Sequence, residues 1–102
     1  MDSRDKEVVI ESWLVQVCGH VQGVGYREAC VRHARAQGIT GWVRNRLDGS
    51  VELMLQGSRE RLAYMCSWLR DGISAAVVDE LEVMQVQPPL PRFDHFERLP
   101  TL

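Results

Sequence analysis

Charge of one sign, aromatic residues and cysteine are all scarce in this chain of 102 residues. Twelve Lys and Arg residues stand against fourteen Asp and Glu residues, so the formal net charge is only −2 at pH 7. Proteins that bind nucleic acid or anionic membranes usually present a strongly basic surface. The composition therefore predicts neither partner, and any anion must be bound by a local arrangement of groups.

The three cysteines, Cys18, Cys30 and Cys66, are widely spaced and form no CxxC pair. An odd, dispersed set is typical of free thiols in a reducing compartment and not of disulfides or zinc sites. The first seven residues carry charges throughout, and no apolar run approaches the roughly 20 residues of a membrane span. We expect a cytoplasmic protein with no secretory signal, no metal and no cofactor.

Hydrophobic periodicity divides the rest of the chain into alternating and helical segments. Apolar residues alternate in the strand segments, and they recur at helical spacing after Tyr26 and after Ser58, which can cap a helix. Asp48 and Gly49 form a hairpin turn. We expect strands at 13–18, 40–47, 50–56 and 77–86, helices at 26–37 and 58–71, and a short edge strand around 93–99.

This order predicts a ferredoxin-like α+β fold, β-α-β-β-α-β, with an antiparallel sheet and two helices on one face. We divide the chain into a charged N-terminal tail at 1–10 and one domain at 11–102. In the third strand Val51, Leu53 and Leu55 alternate with Glu52, Met54 and Gln56, so these two sets should lie on opposite faces. In the strand at 77–86, Val77, Leu81 and Val83 should share one face.

The segment between the first strand and the first helix is rich in glycine and ends in arginine: GHVQGVGYR, Gly19 to Arg27. Three glycines let the backbone turn several N–H groups toward one point, which forms an anion-binding nest. The helix beginning near Tyr26 adds the positive end of its dipole. The planar guanidinium of Arg27 can grip two oxygens of a phosphate.

A plainer interpretation of this loop is a corner between a strand and a helix, with Arg27 solvated. The loop is neither a Walker motif nor a dinucleotide fingerprint, because GxxxxGK[ST] is absent and Glu28 stands where GxGxxG needs its third glycine. Cys18 lies at a strand end and outside the loop, so it is a poor candidate for a phosphatase nucleophile.

A second informative segment is GWVRNRLDGSV, Gly41 to Val51. Asn45 shares strand parity with Val43, so its amide should face the helices, whereas Arg44 and Arg46 face the other way. An inward amide at a hairpin end commonly satisfies backbone groups, and it can also hold a water, because it both donates and accepts hydrogen bonds.

Together the two segments resemble the acylphosphatase family. Its loop pattern G-x-V-Q-G-V-x-[FY]-R and its later G-x-V-x-N…G-x-V pattern are both matched here, in the family's order. The resemblance runs from about Trp13 to Leu99. One departure is Arg46, since many relatives have threonine directly after the asparagine.

The resemblance implies hydrolysis of the carboxyl-phosphate bond of an acyl phosphate by water, without a metal or a covalent intermediate. It implies that Arg27 binds the phosphate and that Asn45 positions the water, so both are expected to be catalytic. The expected phosphate-binding residues are Gly19, His20, Val21, Gln22, Gly23, Val24 and Arg27. Inorganic phosphate would be product and inhibitor, and we expect a monomer.

Two other classes of function fit the same fold. A regulatory module could keep the loop to sense a phosphorylated metabolite without turnover, although retention of both Arg27 and Asn45 argues against this. An RNA-binding module would need an aromatic platform on the central strands, and Trp13 is the one aromatic residue in the segments at 13–18 and 50–56.

Overall fold

The structure is a computed structural model that describes residues 9–102. The expected order of elements is confirmed: β1 at Ile10–His20, α1 at Tyr26–Ala36, β2 at Thr40–Asn45, β3 at Val51–Ser58, α2 at Arg59–Asp71, β4 at Val77–Val86 and β5 at Phe96–Arg98. The expected N-terminal tail lies mostly outside the described residues. Ile10, which we placed in that tail, is the first residue of β1.

The five strands form one sheet in the order β4-β1-β3-β2-β5. The ferredoxin-like α+β fold is confirmed, with one correction to the expected antiparallel sheet. Four strands pair in antiparallel fashion, but β5 runs parallel to β2. Because β3 is antiparallel to both β1 and β2, the carboxyl ends of β1 and β2 lie at the same end of the sheet.

The core lies between the helices and the sheet face that carries Val15, Val17 and Leu53. From α1 it receives Cys30 and Ala34, and from α2 the stripe Leu62, Met65, Cys66 and Leu69. The Ser58 hydroxyl caps α2 by accepting a hydrogen bond from the Arg61 amide at 3.3 Å. The helical periodicity in the sequence therefore identifies the buried faces of both helices.

The inward face of β4 differs from the expected one. Strand β1 advances one residue, from Cys18 to Gly19, while its partner advances two, from Glu80 to Val78, so Asp79 is the extra residue of a β-bulge. The bulge turns Val77 outward and places Val78 with Leu81 against the core. Val83 keeps the predicted parity with Leu81, opposite a core residue of β1, but it is exposed because β4 is an edge strand. Strict alternation cannot account for such an inserted residue.

Gln56 lies on the face of β3 opposite Leu53 and Leu55, and it is only 1% exposed. The segment after β4 crosses this part of the sheet and surrounds the side-chain amide. Its Nε2 donates to the carbonyls of Leu90 and Pro91 at 3.0 and 3.2 Å, and its Oε1 accepts from the Phe93 amide at 2.8 Å.

Within residues 9–102, no helix is long and apolar enough to cross a membrane.

Candidate active site

The glycine-rich connection is shorter than its sequence suggests. Gly19 and His20 still belong to β1, where they pair with Val78 and Val77 of β4. A Cβ atom at Gly19 would lie 2.1 Å from the carbonyl oxygen of Val77, and its φ is +135°. The bulge contact thus requires glycine at this position, whatever the loop binds.

Two apolar side chains attach the loop proper, residues 21–25, to the core. Val21 is buried and Val24 packs against the core. Gln22 extends sideways to the hairpin between β2 and β3, where its Nε2 donates to the carbonyls of Arg46 and Ser50 at 2.9 and 2.8 Å. These side chains fix the loop, and its glycines, Gly23 and Gly25, are exposed.

The start of α1 leaves its first amides available to a ligand. Gly25 is the N-cap in the left-handed region, at φ 77°, and glycine offers no side-chain oxygen to those amides. The Ala29 amide donates to the Gly25 carbonyl at 3.1 Å, and the amides of residues 22–25 donate to no backbone carbonyl of residues 9–102. Free donors and the positive end of the helix dipole therefore coincide here.

A cavity of about 100 Å³ opens at this point. Arg27, from the first turn of α1, and Asn45, from the last position of β2, both line it. The Oδ1 atom of Asn45 is buried and accepts no hydrogen bond from residues 9–102. A buried, unpartnered acceptor is uncommon in folded proteins, and it suits a site that holds a water or a ligand group.

Several residues expected to bind phosphate line this cavity: Val21, Gln22, Gly23 and Arg27. The other three, Gly19, His20 and Val24, do not, and His20 is exposed. Their contribution would have to come from main-chain groups. It remains a prediction.

Arg98 and Glu28 also line the cavity, although no pattern in the sequence predicts them there. Arg98 lies on the short strand β5, and its guanidinium forms an ion pair with the Glu28 carboxylate of α1. This ion pair depends on the parallel pairing of β5 with β2. That pairing joins distant segments, so no local pattern in the sequence predicts it. The cavity therefore has two guanidinium groups, of which one is partly neutralised.

The residue after Asn45 does not enter the cavity. Nη1 of Arg46 lies 3.5 Å from Oε1 of Glu52, on the opposite face of the sheet, and Nε of Arg44 lies 2.8 Å from the same oxygen. The Arg46 side chain is thus not in a position to replace a threonine hydroxyl that contacts the attacking water.

Other candidate groups are not arranged for catalysis. The pKa of the Cys18 thiol is raised by burial and by nearby acidic groups, first among them Glu80, so the thiol stays protonated at neutral pH. His33 stacks on Trp68 at 4.0 Å between ring centroids, and His95 lies 3.2 Å from Glu97. Residues 9–102 contain no group of three or more side chains suited to hold a metal ion.

Larger cavities exist elsewhere on the molecule. One of about 450 Å³ lies at the opposite end of the sheet, near Thr40 and Ser58, and one of about 500 Å³ lies beside Trp68. Neither is lined by the glycine loop or by Asn45. In the small cavity an arginine, loop amides and an amide oxygen converge, and the amides and the oxygen have no partner in the described part of the chain. This arrangement suits a small anion and a water.

Comparison with known proteins shows the family of the chain. The acylphosphatase family model matches residues 13–98. An acylphosphatase of Polaromonas naphthalenivorans is 68% identical over 98 residues, which cover 96% of this chain and 97% of the relative. Acylphosphatase 1 of Ralstonia nicotianae is 64% identical over 87% of each chain. The solved acylphosphatase of Coxiella burnetii, 29% identical, covers 97% of this chain and 100% of its own with a TM-score of 0.83. This chain belongs to the acylphosphatase family.

Proposed function

We propose that this protein is an acylphosphatase, which hydrolyses acyl phosphates to a carboxylate and inorganic phosphate. The observation that carries the proposal is that one cavity contains both Arg27, beside loop amides, and Oδ1 of Asn45. Within residues 9–102 these amides and this oxygen have no hydrogen-bond partner. The first group suits a phosphate, and the second suits the water that attacks it.

The phosphoryl group binds at the N-terminus of α1. Its oxygens accept hydrogen bonds from loop amides and from the guanidinium of Arg27, which can contact two of them at once. During transfer, charge spreads over the equatorial oxygens, and donors that are already in place stabilise it without reorganising. Arg27 thus acts in both the ground state and the transition state.

The attacking water is held by Asn45. The Oδ1 acceptor orients one O–H bond and leaves a lone pair of the water directed at phosphorus. The leaving group is a carboxylate, which departs without protonation, and the phosphate itself can accept the proton of the water. The reaction therefore needs no strong base, no metal and no covalent intermediate from this chain.

The same proposal covers the partners of the protein. The substrate is a small acyl phosphate, and inorganic phosphate, as the product, inhibits by occupying the loop. The protein acts as a monomer in the cytoplasm, where its three unpaired cysteines remain reduced. Neither nucleic acid nor a membrane takes part.

Steady-state hydrolysis of benzoyl phosphate in excess EDTA tests the proposal. We expect turnover to be undiminished by the chelator, and inorganic phosphate to inhibit competitively because it occupies the same loop. Loss of activity on chelation that a divalent ion restores would refute the metal-free mechanism. Noncompetitive inhibition would refute the assigned phosphate site.

A further inference from the structure

Gln22 belongs to the phosphate loop, yet its side chain bonds to the hairpin that carries Asn45. We propose that Gln22 is a positioning residue that holds the phosphate loop and Asn45 in the relative placement that in-line attack requires. This inference rests on the proposed hydrolysis of acyl phosphates. It assigns to the side chain of Gln22 a role other than binding phosphate.

The amide group of Gln22 uses both of its N–H bonds on the hairpin end. Nε2 donates to the Arg46 carbonyl at 2.9 Å and to the Ser50 carbonyl at 2.8 Å. These carbonyls also belong to the turn itself, since the Arg46 amide donates to Ser50 at 2.9 Å and the Gly49 amide donates to Arg46 at 3.1 Å. Gln22 therefore attaches to the residue that directly follows Asn45.

The anchor point on the hairpin is itself rigid. Asp48 Oδ1 accepts from the amide and the hydroxyl of Ser50 at 2.9 and 2.6 Å. Ser50 is only 3% exposed. The hydrogen bonds from the loop to this point therefore hold the loop against a rigid part of the hairpin.

The two halves of the site otherwise come from separate elements. The phosphate-binding amides lie between β1 and α1, and the water-binding amide lies at the end of β2. Among residues 9–102, the two bonds of Gln22 are the hydrogen bonds that join loop 21–25 to hairpin 45–51. Since a displacement of ~1 Å between reacting groups can reduce turnover about 100-fold, this tie bears on catalysis.

The test measures kcat with benzoyl phosphate and the inhibition constant of phosphate for the wild type, Gln22→Met, Gln22→Ala, Asn45→Ala and the double variant Gln22→Met/Asn45→Ala. Methionine keeps the length and volume of glutamine but donates no hydrogen bond, so it preserves packing where alanine does not. Gln16→Ala is the matched control, because it removes a bond to the same turn from outside the loop.

We expect Gln22→Met to lower kcat by about 10–100-fold while the phosphate inhibition constant stays within about twofold. In the Asn45→Ala background the same change should have an effect below about threefold, because the two residues act through one water. Gln16→Ala should match the wild type. An unchanged kcat in both Gln22 variants, a parallel loss of phosphate affinity, or full additivity with Asn45→Ala overturns the positioning role alone. Absence of turnover in the wild type overturns the proposed function together with it.

Discussion

Substitutions of Arg27 separate two contributions of this side chain to phosphate binding: its positive charge and the planar geometry of its guanidinium. Hydrogen bonds to a charged group contribute roughly 1.5–3 kcal/mol, so Arg27→Ala should raise the phosphate inhibition constant about 10–100-fold and also lower kcat. Arg27→Lys keeps the charge without the planar fork and should fall between alanine and the wild type. Measured inhibition constants for the three proteins check this order.

The control for Arg27 is Arg32→Ala. Arg32 lies exposed on the same helix, outside the small cavity, and its removal changes the net charge equally. If Arg32→Ala weakens phosphate binding as much as Arg27→Ala does, general electrostatic attraction accounts for the binding. The proposed contact between Arg27 and the phosphate would then be wrong.

Cys18 gives a second residue-scale prediction. Burial and nearby acidic groups raise its pKa, which keeps the thiol from acting as a nucleophile near neutral pH. Cys18→Ala should therefore retain kcat/KM within about twofold of the wild type, since it removes no group from the cavity. A loss of more than about 100-fold, with the fold intact by circular dichroism, would show that a thiol takes part.

The sequence pointed to Arg27 and Asn45 because both lie in short segments whose local pattern fixes what they face. The parity of Asn45 with Val43 placed its amide on the helix side, where the cavity lies. The partners of Gln22 and Arg98 could not be inferred in this way. Each bonds to residues far away in sequence, and such contacts exist only once the sheet has formed.

At the level of secondary-structure elements, the bulge between β1 and β4 predicts that Gly19 of β1 and Gly23 of the loop tolerate substitution unequally. Gly19→Ala would force a Cβ against the Val77 carbonyl at a positive φ and should destabilise the protein by roughly 2–5 kcal/mol. Alanine at position 23 would also need a positive φ, but no heavy atom of the described residues other than its chain neighbours lies within 4 Å of its Cβ position. We therefore expect Gly23→Ala to lower the free energy of unfolding by only about 1–2 kcal/mol. Urea denaturation measures both, and equal losses would argue against the bulge contact.

The contact between α1 and α2 predicts a dependence of stability on pH. His33 stacks on Trp68, and burial lowers its pKa in the folded protein below the ordinary value of 6.5. The unfolded chain then binds a proton more readily, so this contribution to stability is complete above about pH 6.5 and is lost as the pH falls through the folded pKa. Tm measured from pH 7.5 to 5.5 should fall less in His33→Phe, which keeps the stacking without the titration. Parallel curves for the two proteins would contradict this.

Most elements could be predicted because their apolar residues repeat locally. The predicted range of β4, 77–86, agrees with the structure, and α2 begins and ends where the Ser58 cap and the apolar stripe indicated. Strand β1 begins at Ile10, three residues before the predicted Trp13. The bulge at Asp79 and the parallel direction of β5 depend on pairing between distant strands, which periodicity within one strand does not encode.

At the scale of the whole molecule, the site is a consequence of sheet order. Strand β3 lies between β1 and β2 and runs antiparallel to both, so the loop after β1 and the last residue of β2 meet at one end of the sheet. The helix that follows the loop then directs its N-terminus toward Asn45. The fold thereby brings the group proposed to bind phosphate and the group proposed to hold the water together from separate segments of the chain.

The measurement that tests this account most directly is kcat for acyl phosphate hydrolysis by Asn45→Ala, taken together with its phosphate inhibition constant. Asn45 is proposed to touch mainly the water, so kcat should fall by about 100-fold or more while phosphate binds as it does in the wild type. Circular dichroism checks that the variant is folded. Normal turnover by Asn45→Ala would contradict the proposed mechanism, because Oδ1 of Asn45 in the cavity would then have no role in placing the water.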